Sequence, residues 1–217
     1  MGDIFQEVDD EVRQARLMRL WAKYGRYLIL ALASIVVATG AKVGWDELRI
    51  RQMVAQSTMF SAGIDLAESG QHEQAALAFN TLANESGTGY SQLAALREAA
   101  ALVDSGQPSN AISVYDELAN APDTQPLLAE LSTILAAIQR LEQGLWNEAV
   151  SSLEPIALGS GPWQYLSQEI MALSRIQAGE LGEARELLAA LADDPTTPAT
   201  IRTRARKVLA AIHGNSN

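Results

Sequence analysis

The 217-residue sequence has no cysteine. It therefore offers neither a disulfide framework nor a thiolate nucleophile, a usage compatible with either side of a bacterial inner membrane. Lysine is almost missing too. Only Lys23, Lys42 and Lys207 occur, none of them behind a glycine-rich loop, which excludes a Walker-type phosphate site. The two histidines, His72 and His213, have no Cys, Asp or second His at ligand spacing, so no metal site is expected. Gly87/Gly89 and Gly159/Gly161 lack the strand-turn-helix setting of a phosphate cradle and read as loops. Cations are scarce over most of the chain: between Gln52 and Thr196 only Arg97, Arg140, Arg175 and Arg185 oppose 19 carboxylates. That surface repels a phosphate backbone, so nucleic acid is not an expected partner. The carboxylates themselves, spread at helical spacing, read as a solvated face rather than an acid/base pair. With no convergent constellation in sight, neither an enzyme nor a cofactor or small-molecule substrate is expected.

What is present begins with the stretch Tyr27 to Trp45, YLILALASIVVATGAKVGW. No charge falls between Tyr27 and Ala41, and with the Lys42 ammonium bent outward the run reaches 19 residues. At about 1.5 Å per residue it spans roughly 28 Å, close to the ~30 Å of a hydrocarbon core. Trp21, Tyr24 and Tyr27 on one side and Trp45 on the other stand where amphipathic rings favour the headgroup layer, and Arg26 and Lys42 bracket the ends. The reading is a single transmembrane helix. A buried soluble helix would show a polar stripe, but only Ser34 and Thr39 interrupt this run. The small residues Ala38-Thr39-Gly40 suit a signal peptidase, yet the 26 residues ahead of the run carry five acids, unlike a basic leader. Cleavage is not expected.

Five basic residues (Arg13, Arg16, Arg19, Lys23, Arg26) precede the run closely, and only Arg49 and Arg51 follow it before Arg97. The positive-inside bias then keeps the head in the cytoplasm and exports the body. The expected division is a cytoplasmic head over 1–26, the membrane helix over 27–45, an exported helical domain over 46–213 and a disordered tail over 214–217. In the head, Ile4, Phe5, Val8, Val12 and Ala15 recur at helical spacing, consistent with an amphipathic helix or a solvated tail. After Trp45 no Gly/Ser/Pro linker intervenes, so the helix should continue into the first element of the body.

Within the body the signal is repetition. Four times a glycine is followed five residues later by alanine and four residues after that by a bulky residue: Gly70/Ala75/Phe79, Gly106/Ala111/Tyr115, Gly144/Ala149/Leu153 and Gly179/Ala184/Leu188. The glycines stand 36, 38 and 35 residues apart, and seven residues before each is a small one, Gly63, Ala99, Ala137 or Ala172. This period and the A-x-x-x-F element are those of tetratricopeptide repeats, helical hairpins that stack into a solenoid. Each glycine marks a hairpin turn, and the small residues let paired helices approach. An alanine-rich antiparallel bundle is the competing architecture. The fold class expected is all-α: a transmembrane helix, then a tetratricopeptide-repeat-like solenoid ending in a capping helix.

Breaks between hairpins fall at Asn84 to Gly89, Asn120 to Pro126, Gly159 to Pro162 and Asp193 to Pro198. Thr197 with Pro198 reads as the cap and first-turn proline of a last helix, whose polar face holds Arg202, Arg204, Arg206 and Lys207. Candidate partner-contacting residues are Phe60, Leu96 and Ile134, beside the small residues of the first helices, although these positions also suit a core. Arg140 and Arg175 share one place, four residues before the turn glycine. They either read a client carboxylate or pair locally with Glu142 and other acids, and local pairing is the favoured reading.

Several segments in order resemble the YfgM-like family, the ancillary subunit of the bacterial Sec translocon. They are WAKYG (Trp21 to Gly25), Val43-Gly44-Trp45, Thr88-Gly89-Tyr90 leading into AALREAA, Gly161-Pro162-Trp163, and LSRIQAGELGEAREL (Leu173 to Leu187). The resemblance covers nearly the whole chain. It implies a single-pass inner-membrane protein with a periplasmic repeat domain that sits beside the translocon, works with a membrane-anchored chaperone and helps pass emerging polypeptides onward. The basic final helix has no place in the family's pattern. The alternative expectation is a scaffold or assembly factor for another inner-membrane envelope complex, without client binding.

Overall fold

The computed structural model describes residues 3–85 and 89–214, with the side chains of 3–17, 19, 20, 24, 26, 28, 30–33, 89, 213 and 214 outside that description. Among the described residues the backbone is helical throughout, without a strand. The helices are α1 (Asp3–Glu68), α2 (His72–Ala83), α3 (Gly89–Asp104), α4 (Pro108–Asn120), α5 (Pro126–Glu142), α6 (Trp146–Ala157), α7 (Gln164–Gln177), α8 (Leu181–Asp193) and α9 (Ala199–Gly214). The all-α expectation holds. The chain divides into two compact units, Met1–Ala55 and Gln56–Asn217.

In the first unit the backbone is helical without a break, as the absence of linker residues after Trp45 leads one to expect. Among its described side chains, Ile29, Ile35, Val36, Val37 and Val43 are all more than half exposed. Thr39 donates its hydroxyl to the Ile35 carbonyl at 2.8 Å, so this polar group is satisfied inside its own helix. Among the described residues no helix is long and apolar enough to cross a membrane. The side chains of Leu28 and of residues 30–33, which open the apolar run, lie outside the description.

The second unit is built on four helical hairpins whose turns repeat one geometry. Gly70, Gly106, Gly144 and Gly179 have φ of +77°, +79°, +78° and +81°, the left-handed region where a Cβ is penalised. At the first, Gly70 N–H donates to the Ala67 carbonyl at 3.0 Å and Gln71 N–H to the Leu66 carbonyl at 2.9 Å. This is a Schellman closure, and it satisfies the last carbonyls of the outgoing helix. The same pair of bonds recurs at the other three turns. The residue after each glycine then opens the next helix, its carbonyl accepting from Ala75, Ala111, Ala149 or Ala184 at 2.9 to 3.1 Å. Turn and packing alanine are thereby locked at a fixed offset, which is why the spacing survives from repeat to repeat.

Those four alanines are wholly buried, as are Ala99, Ala137 and Ala172 on the facing helices. Phe79, Tyr115, Leu153 and Leu188 fill the space one turn further on, each no more than 4% exposed. Gly63 shows why a small residue is needed. A Cβ there would lie 2.6 Å from Cε1 of Phe79, so the ring occupies the space a side chain would take. The core runs along the unit as successive clusters, centred on Phe79 and Leu82, on Ala99 and Tyr115, on Ile134 and Leu153, and on Leu188 and Ile201. Each cluster joins neighbouring hairpins, the nearest-neighbour arrangement of a solenoid.

The last break departs from expectation. Thr197 is 2% exposed and its hydroxyl finds no hydrogen-bond partner, so it does not cap α9. The loop is held instead by Asp194, which accepts from the Thr196 N–H at 2.8 Å and the Thr196 hydroxyl at 2.6 Å. The proline precedes the helix rather than opening its first turn, and its carbonyl accepts from Arg202 N–H at 3.0 Å.

Candidate functional site

The apolar residues expected to touch a partner lie mostly inside. Ile134 is 1% exposed at the centre of its cluster and has no surface to offer, which corrects its place among the contact candidates. Leu96 packs against the cluster of Ala99 and Tyr115. Phe60 is half-buried, its ring 5.5 Å from the centroids of both Phe79 and Tyr90 and tilted at 59° and 53°. It closes the first hairpin rather than decorating it.

Arg140 and Arg175 are both occupied by their own chain. Arg140 reaches Asp116 at 2.5 Å and Glu148 at 3.8 Å, so its partners come from the helices on either side and not from Glu142. Arg175 pairs with Glu180 and, at 3.2 Å, with Glu183. The hydrogen bond that Arg175 donates to the Glu180 carboxylate holds its guanidinium even more firmly charged than usual, against the opposing effect of burial. Each arginine ties the end of one helix to the start of the next element. Both arginines thus pair within the chain, through acids other than Glu142.

The basic final helix has a structural task. Arg204 Nε donates to Glu169 Oε1 at 2.6 Å and its Nη2 to Oε2 at 2.5 Å, a two-pronged bridge from α9 to α7. Arg206 donates to the Ala192 carbonyl at the end of α8 at 3.0 Å. Trp163, in the Gly161-Pro162-Trp163 loop, donates its indole N–H to the Leu127 carbonyl at 3.3 Å, fastening α7 to the first turn of α5.

Three of the clefts among the described residues bear on what the surface can bind. One of 480 Å³ lies over Arg140, beside Asn147, Glu148 and the serines of α6. A second, of 450 Å³ and mainly apolar, lies between α7 and α9 along Leu173, Ile176, Val208 and Ile212. The third, of 530 Å³, is lined by Glu73, Ala76, Leu77 and Asn80 of α2, Glu98 and Leu102 of α3, and Gln107. Its floor carries a carboxylate, Glu98, only 7% exposed. Asn80 Nδ2 donates to Glu98 Oε1 at 2.8 Å, and Asn84 in turn donates to Asn80 Oδ1 at 3.2 Å. Burial pushes the Glu98 carboxyl above its ordinary range, the Asn80 hydrogen bond opposes this, and the nearby Glu117 adds to it. Glu98 carried no signal in the sequence, because its place on the floor of a cleft depends on how α2 meets α3.

Of the expected membrane-interface residues, Trp21, Tyr27 and Trp45 are 61%, 55% and 73% exposed and Lys42 is exposed. The side chains of Tyr24 and Arg26 lie outside the described residues, as does that of His213. His72 opens α2, its Nδ1 3.9 Å from the Asp104 carboxylate. Among the described residues no group of three His, Cys, Asp or Glu side chains could hold a metal ion.

A four-hairpin helical array with this turn geometry defines a repeat protein. Residues 19–186 match the family described as tetratricopeptide repeat-like domain, and the chain belongs to that family. Domains of this kind mediate protein–protein contacts and are typically non-catalytic. No curated protein and no solved structure matches the chain.

Proposed function

We propose that this chain is a membrane-anchored interaction protein of the bacterial inner membrane. In this reading residues 27–45 cross the bilayer once, the head over 1–26 is cytoplasmic, and the repeat body is periplasmic. The observation that carries the anchor is the set of uncovered aliphatics Ile29, Ile35, Val36, Val37 and Val43 on an unbroken helix. Water is a poor solvent for that surface and lipid a good one. Exposed Trp21, Tyr27 and Trp45 at its two ends support the same reading. The family match begins at residue 19 and so includes the run together with the first three hairpins and part of the fourth. A reporter active only in the periplasm, fused after Asn217, is expected to be active; activity of a cytoplasm-only reporter there would reverse the topology.

The finer reading is that the body works beside the Sec translocon, with a membrane-anchored chaperone, in the handover or quality control of exported polypeptides. It rests on the resemblance to the YfgM-like family, and the repeat architecture supports it, since stacked hairpins present long surfaces for peptide segments. The acidic body favours basic or hydrophobic clients over acidic ones. Copurification from mild detergent tests it. Translocon subunits should be among the strongest partners; a different envelope complex in their place would make the protein that complex's scaffold.

A further inference from the structure

The cleft over Glu98 has no arginine among its lining residues. Four residues before the turn glycine, the repeats carry Leu66, Leu102, Arg140 and Arg175. In the third and fourth repeats that residue is an arginine which neutralises carboxylates from adjoining elements. In the second it is Leu102, and the acids of the cleft, Glu73 and Glu98, have no cation within ion-pair distance among the described residues. The chain does not treat its other buried carboxylate this way: Glu169, also 7% exposed, is bridged by Arg204 through both oxygens. A carboxylate withdrawn from water without a cation is costly, and among the described residues its support is one amide hydrogen bond. The nearby charge of Glu117 is of the same sign. What the cleft lacks is a positive charge, and it has 530 Å³ of open space in which to receive one.

We propose that this cleft is a receptor for a single arginine side chain of a partner polypeptide. The guanidinium reaches the free edge of Glu98, with Glu73 at the rim, and makes the charge-assisted bonds that Arg204 makes to Glu169. The methylene stem lies along Leu102 and Leu77. Leu77 is 70% exposed, although the other bulky residues of α2, Phe79 and Leu82, are buried. The Asn84–Asn80–Glu98 chain of hydrogen bonds holds the carboxylate in place before the ligand arrives, which reduces the ordering cost of binding. The proposal rests on the protein-binding part of the function above and is independent of membrane topology and of the translocon.

The test uses the full chain in non-ionic detergent and two labelled, end-blocked peptides that differ at one position, arginine in one and citrulline in the other. Citrulline keeps the shape and removes the charge. By fluorescence anisotropy the arginine peptide should bind about tenfold more tightly, equivalent to ~1.4 kcal/mol. Glu98→Gln should reduce that preference to less than about twofold. Leu102→Arg should do the same from the opposite direction, by supplying the chain's own cation as Arg140 and Arg175 do. Both variants are checked for native helicity by circular dichroism, so that if one does not fold the other still decides. Equal affinity for the two peptides, no binding of either, or an undiminished preference in a folded variant would overturn the proposal. Loss of translocon copurification with the arginine preference intact would overturn only the finer function.

Discussion

Gly63→Ala isolates the close approach on which the hairpin array depends. The added Cβ would sit 2.6 Å from Phe79 Cε1 and 2.8 Å from Cζ. Ordinary carbon–carbon contact is about 3.5 to 4.0 Å, so the ring must retreat by roughly 1 Å. It has little room, being 1% exposed with the Phe60 ring 5.5 Å away. Overpacking costs about 1–3 kcal/mol, and a ring with so little room to retreat puts this site in the upper part of that range, about 2–3 kcal/mol, offset by a gain of about 1 kcal/mol when alanine replaces glycine in a helix. The expected net loss is about 1–2 kcal/mol, or roughly 2–8 °C in Tm for a chain of this size. Far-UV circular dichroism of the full chain in mild detergent reads it. In the Phe79→Leu background the same change should become neutral or stabilising, because the ring that blocks the Cβ is gone. Gly70→Ala is the control: nothing lies within 4 Å of its Cβ, but φ is +77°, so it should cost about 1–2 kcal/mol in either background. A penalty at Gly63 that persists with Phe79→Leu, or no penalty at all, would refute the reasoning.

Ala149→Trp or Ala184→Trp should destabilise by about 1–3 kcal/mol or more in the same melt, since both alanines are wholly buried where helices meet. Arg204→Gln should cost about 2 kcal/mol, and more than Glu169→Gln, because it strands a buried carboxylate whereas the converse leaves a half-exposed guanidinium in water. Asp194 is held below its ordinary 3.8, first by the Thr196 hydroxyl and then by the Thr196 N–H. The folded state therefore binds that proton less readily, and the contribution is complete above pH 3.8 and lost as pH falls through the lower folded value. Asp194→Asn should flatten that acid limb in a Tm–pH series. Glu98 has the opposite sign: its raised carboxyl favours the folded state when protonated, so stability drains as pH rises from its ordinary 4.5 through the folded value, and Glu98→Gln should remove that loss.

The hairpins were readable from the sequence because their constraints are local. A φ near +78° favours glycine, a Schellman closure fixes where the next helix starts, and the first buried position of that helix then falls five residues on. Each constraint acts over fewer than about ten residues and leaves its mark at a fixed spacing. Pairings across the array leave no such mark. Glu169 and Arg204 are 35 residues apart, and Arg140 and Asp116 are 24 apart. Glu142 looked the natural partner of Arg140, yet two residues along a helix point to different faces, and the guanidinium turns to α4 and α6 instead. Thr197 failed as a cap for a related reason: the sequence shows a hydroxyl before a proline but not that the core will bury it.

Where the cations go decides what the acidic body can attract. Counted from the sequence, four arginines stand against 19 carboxylates between Gln52 and Thr196. Two of the four, Arg140 and Arg175, are locked into contacts with Asp116, Glu148, Glu180 and Glu183, so their charge is cancelled at short range. Of the cations of the last helix, Arg204 is likewise taken up by a carboxylate, that of Glu169. In the second hairpin Asp116 is paired with Arg140, whereas Glu98 has no arginine within ion-pair distance among the described residues; the field of such carboxylates falls off over a Debye length of about 8 Å at physiological ionic strength. Encounter with a cationic segment should accordingly slow as salt is raised, because screening acts on the approach. A guanidinium already seated over Glu98 would be screened less, since the carboxylate lies out of water. Salt should thus depress the association rate of an arginine peptide more than it raises the dissociation rate. If the acidic surface served solubility alone, the arginine and citrulline peptides would associate at the same rate at every salt concentration.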